Sequence, residues 1–433
     1  RGEEAAAEEW YRRAAEAGNS DAMFNLGLRA AERGDLDTAE GWYRRGAETG
    51  DVDAMVNLGF LLKQRGEWDE AEQWYRRAAE AGNVDAAYNL GVLLAAERGE
   101  EAAAEEWYRR AAEAGHAGAM NNLGGLFRQR GEETAAEEWW RHAAVAGHAG
   151  AMYNLGVLSA ERGDLGAAEG WYWRGAEAGD PDAMVNLGLL LVERGETEEG
   201  ETWYRRAAEQ GDTGAMLNLG ARYKERNELE EAEFWYRRAA DAGHPDAMFT
   251  LGVVLAERGE WDEAEQWYRR AAEQGNMPAM GNLGVLLAER GEDEEAERWW
   301  RRAAEAGDPD SVVNIGILRE RRGDLDEAER WYRRAADAGD PDTVNSFALF
   351  LAQRDRMDEA EQWWRQAADA GHPSAMFNLG VLYQRRNDET GAEPWYRRAA
   401  DAGHPGAMAN LGLLLHERGE VDEAEQWWRQ AAD

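Results

Sequence analysis

Cysteine is absent from this 433-residue chain, and lysine is nearly so, with only Lys63 and Lys224 among 49 basic residues. Without cysteine there is no disulfide scaffold, no thiolate-bound zinc or iron–sulfur cluster, and no mark of an oxidising compartment. Positive charge of any kind is in short supply: 49 Lys and Arg face 87 Asp and Glu, a net charge of −38. Such a chain is a poor match for a phosphate backbone, because affinity for nucleic acid rests on clustered Lys and Arg. No apolar run approaches the ~18 residues of a membrane span, since Arg or Glu recurs every few positions. No nucleic-acid partner, no membrane and a cytoplasmic setting are therefore expected. What the chain does have is 44% hydrophobic residues, enough for a large core, so its acidity does not mean disorder. Length alone suggests two or three domains, and an internal repeat overrules that.

Trp recurs at Trp10, Trp42, Trp74, Trp107, Trp139, Trp171, Trp203, Trp235, Trp267, Trp299, Trp331, Trp363, Trp395 and Trp427. The spacing is 32, with a single 33 between Trp74 and Trp107. Such a period marks a solenoid or array. Apolar residues at i, i+3, i+4 and i+7 (Met23, Leu26, Gly27, Ala30) give a first helix, A, one buried stripe. Ala39, Trp42, Tyr43 and Gly46 do the same for a second helix, B. Helix A stops at Arg33-Gly34 and helix B at Ala17-Gly18, because glycine accepts the left-handed conformation past a helix end. Asn227, Asn387 and Asp355 replace the first glycine and are the next residue types to tolerate that conformation. After the second glycine comes Asp, Asn or His, often followed by Pro, as in Gly179-Asp180-Pro181, a helix start for Asp and Asn. In helix B, Glu precedes Arg by four residues (Glu40/Arg44, Glu72/Arg76, Glu265/Arg269), a pairing worth ~0.2–0.5 kcal/mol on an exposed helix. Most of the charge is thus expected on a solvated face.

The unit resembles the tetratricopeptide repeat. Helix B and the loop after it (Trp-Tyr-Arg-Arg-Ala-Ala-Glu-Ala-Gly, then Ala-Met-x-Asn-Leu-Gly) are most similar to the Sel-one-like branch, with Leu58, Gly59, Gly66, Ala71, Tyr75 and Ala78 in the family's order. The resemblance covers essentially the whole chain, in a unit of 32 residues that is shorter than usual for either family. It implies an all-α fold: an α-solenoid of about thirteen helix-turn-helix repeats in a right-handed superhelix, with A helices lining a concave groove and B helices on the convex side. One continuous array over residues 1–433 is expected, with 1–19 an incomplete repeat holding helix B only.

Nothing in the sequence supports an enzyme. His116, His148, His244, His372 and His404 each follow the loop glycine, a repeat or more apart, which is not metal-ligand spacing; they read as helix-start residues. Serine is scarce, no glycine-rich loop is built to cradle phosphate, and carboxylate pairs are too common for one to single out acid–base chemistry. No cofactor and no metal are expected.

The informative residue is an asparagine inside helix A: Asn25, Asn57, Asn89, Asn122, Asn154, Asn186, Asn218, Asn282, Asn314, Asn378 and Asn410, with Thr250 and Ser346 in the two remaining copies. Asn costs up to ~0.7 kcal/mol against Ala in a helix interior, so its recurrence calls for a compensation. At 100° per residue it points away from the A–B seam, on the side holding Asp21, Phe24, Leu28 and Glu32. A row of amides, each both donor and acceptor, can match an extended peptide backbone without reading its sequence. The family resemblance implies such an asparagine ladder. The alternative is that each Asn bonds a neighbouring repeat and stiffens the array.

The position before the Asn varies, and its aromatic members Phe24, Tyr88, Tyr153, Phe249 and Phe377 are candidate pocket walls for ligand side chains; tolerance of any residue at a half-exposed site is the competing account. Acidic flanks at Asp21, Asp53, Asp85, Glu161, Glu193 and Glu257 point to a basic or neutral ligand. The periodic tryptophans share the helical phase of Ala39 and Tyr43 and read as core. Trp173 instead stands where other repeats have Arg and is a candidate contact patch.

Three irregularities mark expected bends. An extra residue at Ala95 or Ala96 lengthens one A helix, to be absorbed by a π-bulge. Pro394 inside a B helix should kink or shorten it. The copy from Thr343 to Asp355 lacks the Asn, Leu and Gly of its siblings. The chain opens at an inter-helix turn, Arg1-Gly2, and ends at Asp433 without a polar capping repeat, which suggests a fragment of a longer protein or ends that stack on another copy. The resulting expectation is a non-enzymatic scaffold holding a protein or extended peptide, with a rigid spacer and the sensor arm of a signalling protein as alternatives.

Overall fold

The computed structural model describes residues 2–432, with side chains for 7–431. Arg1 and Asp433, at the expected ends of the array, lie outside them. Among the described residues are 27 α-helices and no strand: one B-type helix, Gly2–Glu16, and then thirteen A–B pairs, from Ser20–Glu32 with Leu36–Glu48 to Pro405–Glu417 with Val421–Ala432. The chain divides into two units, Arg1–Leu219 and Gly220–Asp433. Within each, a helix packs chiefly on the helices before and after it, the construction of an α-solenoid.

The stops lie where the glycines put them. After helix Ser20–Glu32, Gly34 takes φ +78°. Its N–H donates to Ala31 O and the N–H of Asp35 to Ala30 O, both at 2.9 Å, which satisfies carbonyls that the helix end leaves open. Asn227, Asp355 and Asn387 adopt φ of 61°, 59° and 55° in the same role. At the helix starts, Asp180 Oδ1 accepts from the N–H of Ala183 at 2.8 Å, with Pro181 as the first helical residue.

Two of the expected bends take another form. The helix Val84–Ala96 has 13 residues like its siblings and is α-helical throughout, without a π-bulge. The extra residue lies in the turn that follows, where Glu100 N–H still reaches Leu94 O at 2.9 Å. A loop absorbs an insertion by lengthening, whereas a helix would have to break a hydrogen bond. Pro394 does not shorten its helix, Glu389–Asp401, which keeps 13 residues. The divergent copy forms an A helix of 12 residues, Pro341–Ala352.

Twelve of the thirteen A–B pairs close on a ring against a glycine. In the first pair the ring of Tyr43 lies where a Cβ on Gly27 would be, and Tyr43 is 2% exposed. Leu58, Leu62 and Leu90 are fully buried, each worth ~1.5–3 kcal/mol of apolar burial. The periodic tryptophans serve this core: Trp74, Trp107 and Trp203 are buried, and the guanidinium of Arg77 stacks over Trp74 at 4.5 Å. Trp10 and Trp173, at 67% and 51% exposure, stand outside it.

The outer charge is ordered. The pairs Glu40/Arg44, Glu72/Arg76 and Glu265/Arg269 form within their helices. Glu40 also accepts, at 2.6 Å, from Arg65, which caps the next A helix, Val52–Gln64, while Arg44 reaches Glu70 in the next B helix, Trp68–Glu80. Arg269, Glu265, Arg290 and Glu295 repeat this four-residue link, as do Arg397, Glu393, Arg418 and Glu423. Hydrogen bonds from Arg44 and Trp74 hold the Glu70 carboxyl below the usual range against its burial.

Candidate functional site

Each candidate asparagine lies in the same turn of its own A helix. Asn282 is exposed, and the other ten are half-buried. Their amides are engaged in three ways. Asn25, Asn57 and Asn186 donate Nδ2–H to the backbone carbonyl four residues earlier, Asp21, Asp53 and Asp182, at 2.7, 2.9 and 2.9 Å. Thr250 and Ser346 make the same bond with their hydroxyls, at 2.8 and 2.9 Å. Asn, Thr and Ser therefore share one local role here, a short side-chain donor onto the first turn.

A second group reaches the tyrosine of the preceding B helix. Asn410 donates to Tyr396 Oη at 3.2 Å and Asn282 to Tyr268 Oη at 3.5 Å, and Asn122 bonds Tyr108. Burial pushes these phenols above their ordinary value, which keeps each Oη protonated and neutral beside its asparagine. A third group bonds the neighbouring repeat: Asn154 donates to Asn121 Oδ1 at 3.0 Å and Asn378 to Asn345 Oδ1 at 3.3 Å. Asn89, Asn218 and Asn314 occupy the same helical position, half-buried.

The aromatic candidates are half-buried, each leaning on the tyrosine of its own pair. Phe24–Tyr43, Tyr88–Tyr108, Tyr153–Tyr172, Phe249–Tyr268 and Phe377–Tyr396 have ring centroids 5.9, 6.1, 6.1, 6.0 and 6.0 Å apart. Two carry a further cover, since His116 stacks on Tyr88 at 4.3 Å and His404 on Phe377 at 4.6 Å. That leaves Phe24, Tyr153 and Phe249 the more open of the five.

The five histidines that follow a loop glycine all cap A helices. Nδ1 accepts the N–H of Ala119, Ala151, Ala247, Ala375 and Ala407, at 3.0, 3.2, 3.4, 3.0 and 3.1 Å. The acceptor role was visible in the sequence, because these histidines stand where other copies have Asp or Asn; the stacking across to the previous A helix was not. The acidic flanks Asp21, Asp53, Asp85, Glu161, Glu193 and Glu257 are all exposed, although Glu161 pairs with Arg128. Among the described residues no helix is long and apolar enough to cross a membrane, and no group of three or more His, Asp or Glu is placed to hold a metal.

Profiles described as tetratricopeptide repeats match residues 20–45, 52–81, 116–145, 177–206, 217–278, 279–306, 311–343, 348–407 and 405–430, and a Sel1 repeat profile matches 4–19 and 84–116. The chain belongs to the tetratricopeptide and Sel1-like repeat proteins. Among solved structures, this repeat protein is similar to a protective antigen of uropathogenic Escherichia coli with an SLR fold, at 26% identity over 90% of this chain and 94% of that one, with a TM-score of 0.60. A Sel1 repeat protein from Oxalobacter formigenes is 27% identical over 64% of this chain and 89% of its own, with a TM-score of 0.46. No curated protein matches in sequence. Repeats of this family are protein-interaction scaffolds, typically without catalysis.

Proposed function

We propose that this repeat protein holds an extended peptide, or an extended segment of a protein partner, along the face of its A helices. The asparagine amides bond the ligand backbone, and Phe24, Tyr153 and Phe249 receive its side chains. The observation that carries this reading is the state of Asn25, Asn57 and Asn186. Each gives one amide hydrogen to its own helix, which fixes its direction, and stays half-exposed; Asn25 and Asn57 keep further donor and acceptor capacity, while Asn186 also bonds Tyr153. Close stacking on this side supports it as well. Successive A helices touch, as Val52–Gln64 does with Val84–Ala96 and Ala149–Glu161 with Pro181–Glu193, so neighbouring repeats carry their amides on adjoining helices. A net hydrogen bond contributes ~0.5–1.5 kcal/mol against ~4–15 kcal/mol for association; several amides and several apolar contacts must act together.

The exposed Asp21, Asp53 and Asp85 favour a basic segment, whose binding would weaken with salt. A random-peptide library panned on the chain and on the triple variant Asn25→Ala, Asn57→Ala, Asn186→Ala tests the proposal. Enrichment that disappears in a variant of unchanged melting temperature is expected. Equal enrichment on both proteins, or none on either, would remove it. The Asn154–Asn121 and Asn378–Asn345 bonds favour a second reading at those two sites, a stiffening link between repeats.

A further inference from the structure

In twelve of the thirteen A helices a glycine follows the Asn–Leu position, and the ring of the paired B helix lies against it. A Cβ on Gly124, Gly284 or Gly412 would overlap the indole of Trp140, Trp300 or Trp428. In that position each indole donates Nε1–H to a carbonyl of its A helix, Asn121, Gly281 or Ala409, at 3.2 Å in all three. The remaining A helix, Pro341–Ala352, has Ala348 in place of the glycine, and the ring opposite is Trp364. The methyl group takes the space the other indoles use. Trp364 is 5% exposed, yet its Nε1 has no hydrogen-bond partner, whereas its three counterparts are satisfied. A buried donor of this kind calls for a partner.

Trp364 also lines a cavity of about 300 Å³, with Leu349, Met357, Val381, Asn378 and Arg385 on its walls. Arg385 is exposed and stands where sibling helices end in Glu161, Glu193, Glu257, Glu289 and Glu417. Its neighbour Arg386 is held by Asp358 and Glu361, while Arg385 has no carboxylate partner among the described residues. An apolar floor and an unneutralised guanidinium make a small-molecule site with a definite polarity, while the Trp364 Nε1–H stays sealed behind the ring that forms part of the wall.

We propose that this cavity binds an aliphatic carboxylate, its chain on Leu349, Val381, Met357 and the Trp364 ring, and its carboxylate on Arg385. The site does not depend on the peptide reading, because the Asn378 amide already donates to Asn345. The test is calorimetric titration of the full chain with octanoate, with octan-1-ol and octylammonium as comparison arms. Octanoate is expected to bind more tightly than either. Arg385→Glu, which installs the sibling residue, should weaken octanoate about tenfold or more, the scale of one charge-assisted contact. Ala348→Gly should let the indole reach the Asn345 carbonyl, raise the melting temperature and abolish octanoate binding. No octanoate heat from the unmodified chain, unchanged affinity in Arg385→Glu and Ala348→Gly, or octylammonium binding as tightly as octanoate would each overturn the proposal.

Discussion

A Cβ placed on Gly59 would lie 2.9 Å from Cδ1 and Cε1 of Tyr75, a ring that is 1% exposed. Gly59→Ala gains up to ~1 kcal/mol of helix propensity but overpacks a ring with no room to move, at ~1–3 kcal/mol. Net destabilisation is expected. At Gly316 the same methyl would stand 3.2 Å from Tyr332, so Gly316→Ala should cost less. Gly41, with nothing within 4 Å of its added Cβ, should gain from Ala. Urea midpoints in the order Gly41→Ala, Gly316→Ala, Gly59→Ala, highest first, are the expected result, and a raised midpoint for Gly59→Ala would contradict the packing argument.

Glu40 serves two arginines, Arg44 of its own helix and Arg65 of the next repeat, at 2.9 and 2.6 Å. Glu40→Gln weakens both contacts at once, and lowers the melting temperature in dilute buffer more than Glu48→Gln on the exposed face. At 1 M salt, where screening acts over ~3 Å, the gap between the two variants should shrink. A gap independent of salt would mean that Glu40 acts through packing.

Helix boundaries and A–B pairing are legible in the sequence because each signal is local: a glycine at the stop, a short polar cap at the start, a 3.6-residue apolar stripe between. The Arg65–Glu40 contact is not, since its partners are 25 residues apart and meet only once repeats stack. The face that Asn25 occupies is calculable from helical phase, but its bond to Asp21 O is not, although Thr250 and Ser346 at the same position were a sign that a short donor was needed. The loss of the glycine at Ala348 is visible too; its effect on Trp364 emerges only from the ring positions in the other pairs.

Burial holds the imidazoles of His148 and His404 below their ordinary value, with Asp180 opposing the shift at His148 and His116 adding to it, and His372 adding to it at His404. The neutral ring is also the form that caps, because Nδ1 must accept. As pH falls through the ordinary imidazole value of about 6.5, the unfolded chain takes up protons that these folded rings refuse. Stability therefore declines from there down to the folded value. The Arg-paired carboxylates Glu137 and Glu393, held below 4.5, lose their contribution only at lower pH. His148→Asn with His404→Asn installs the cap that Asn83 and Asn276 already provide at 2.8 and 2.9 Å. The double variant should show a flatter urea midpoint between about pH 7 and pH 5.5, and an unchanged slope would rule out the caps as its source.

The asparagines should separate into two classes by stability. Asn57 bonds only its own helix, where Ala is the better helix former by up to ~0.7 kcal/mol. Asn57→Ala is therefore expected to leave the urea midpoint unchanged or raise it slightly. Asn154 bonds Asn121 of the preceding repeat, both half-buried. Asn154→Ala removes a link between repeats and should cost ~0.5–1.5 kcal/mol, with Asn121→Ala costing no more once Asn154 is gone. A double-mutant cycle on Asn121 and Asn154 measures that coupling. A coupling near zero, with Asn57→Ala destabilising, would mean that the amides stabilise the array one helix at a time. They would then owe their recurrence to the first turn of each A helix rather than to a ligand.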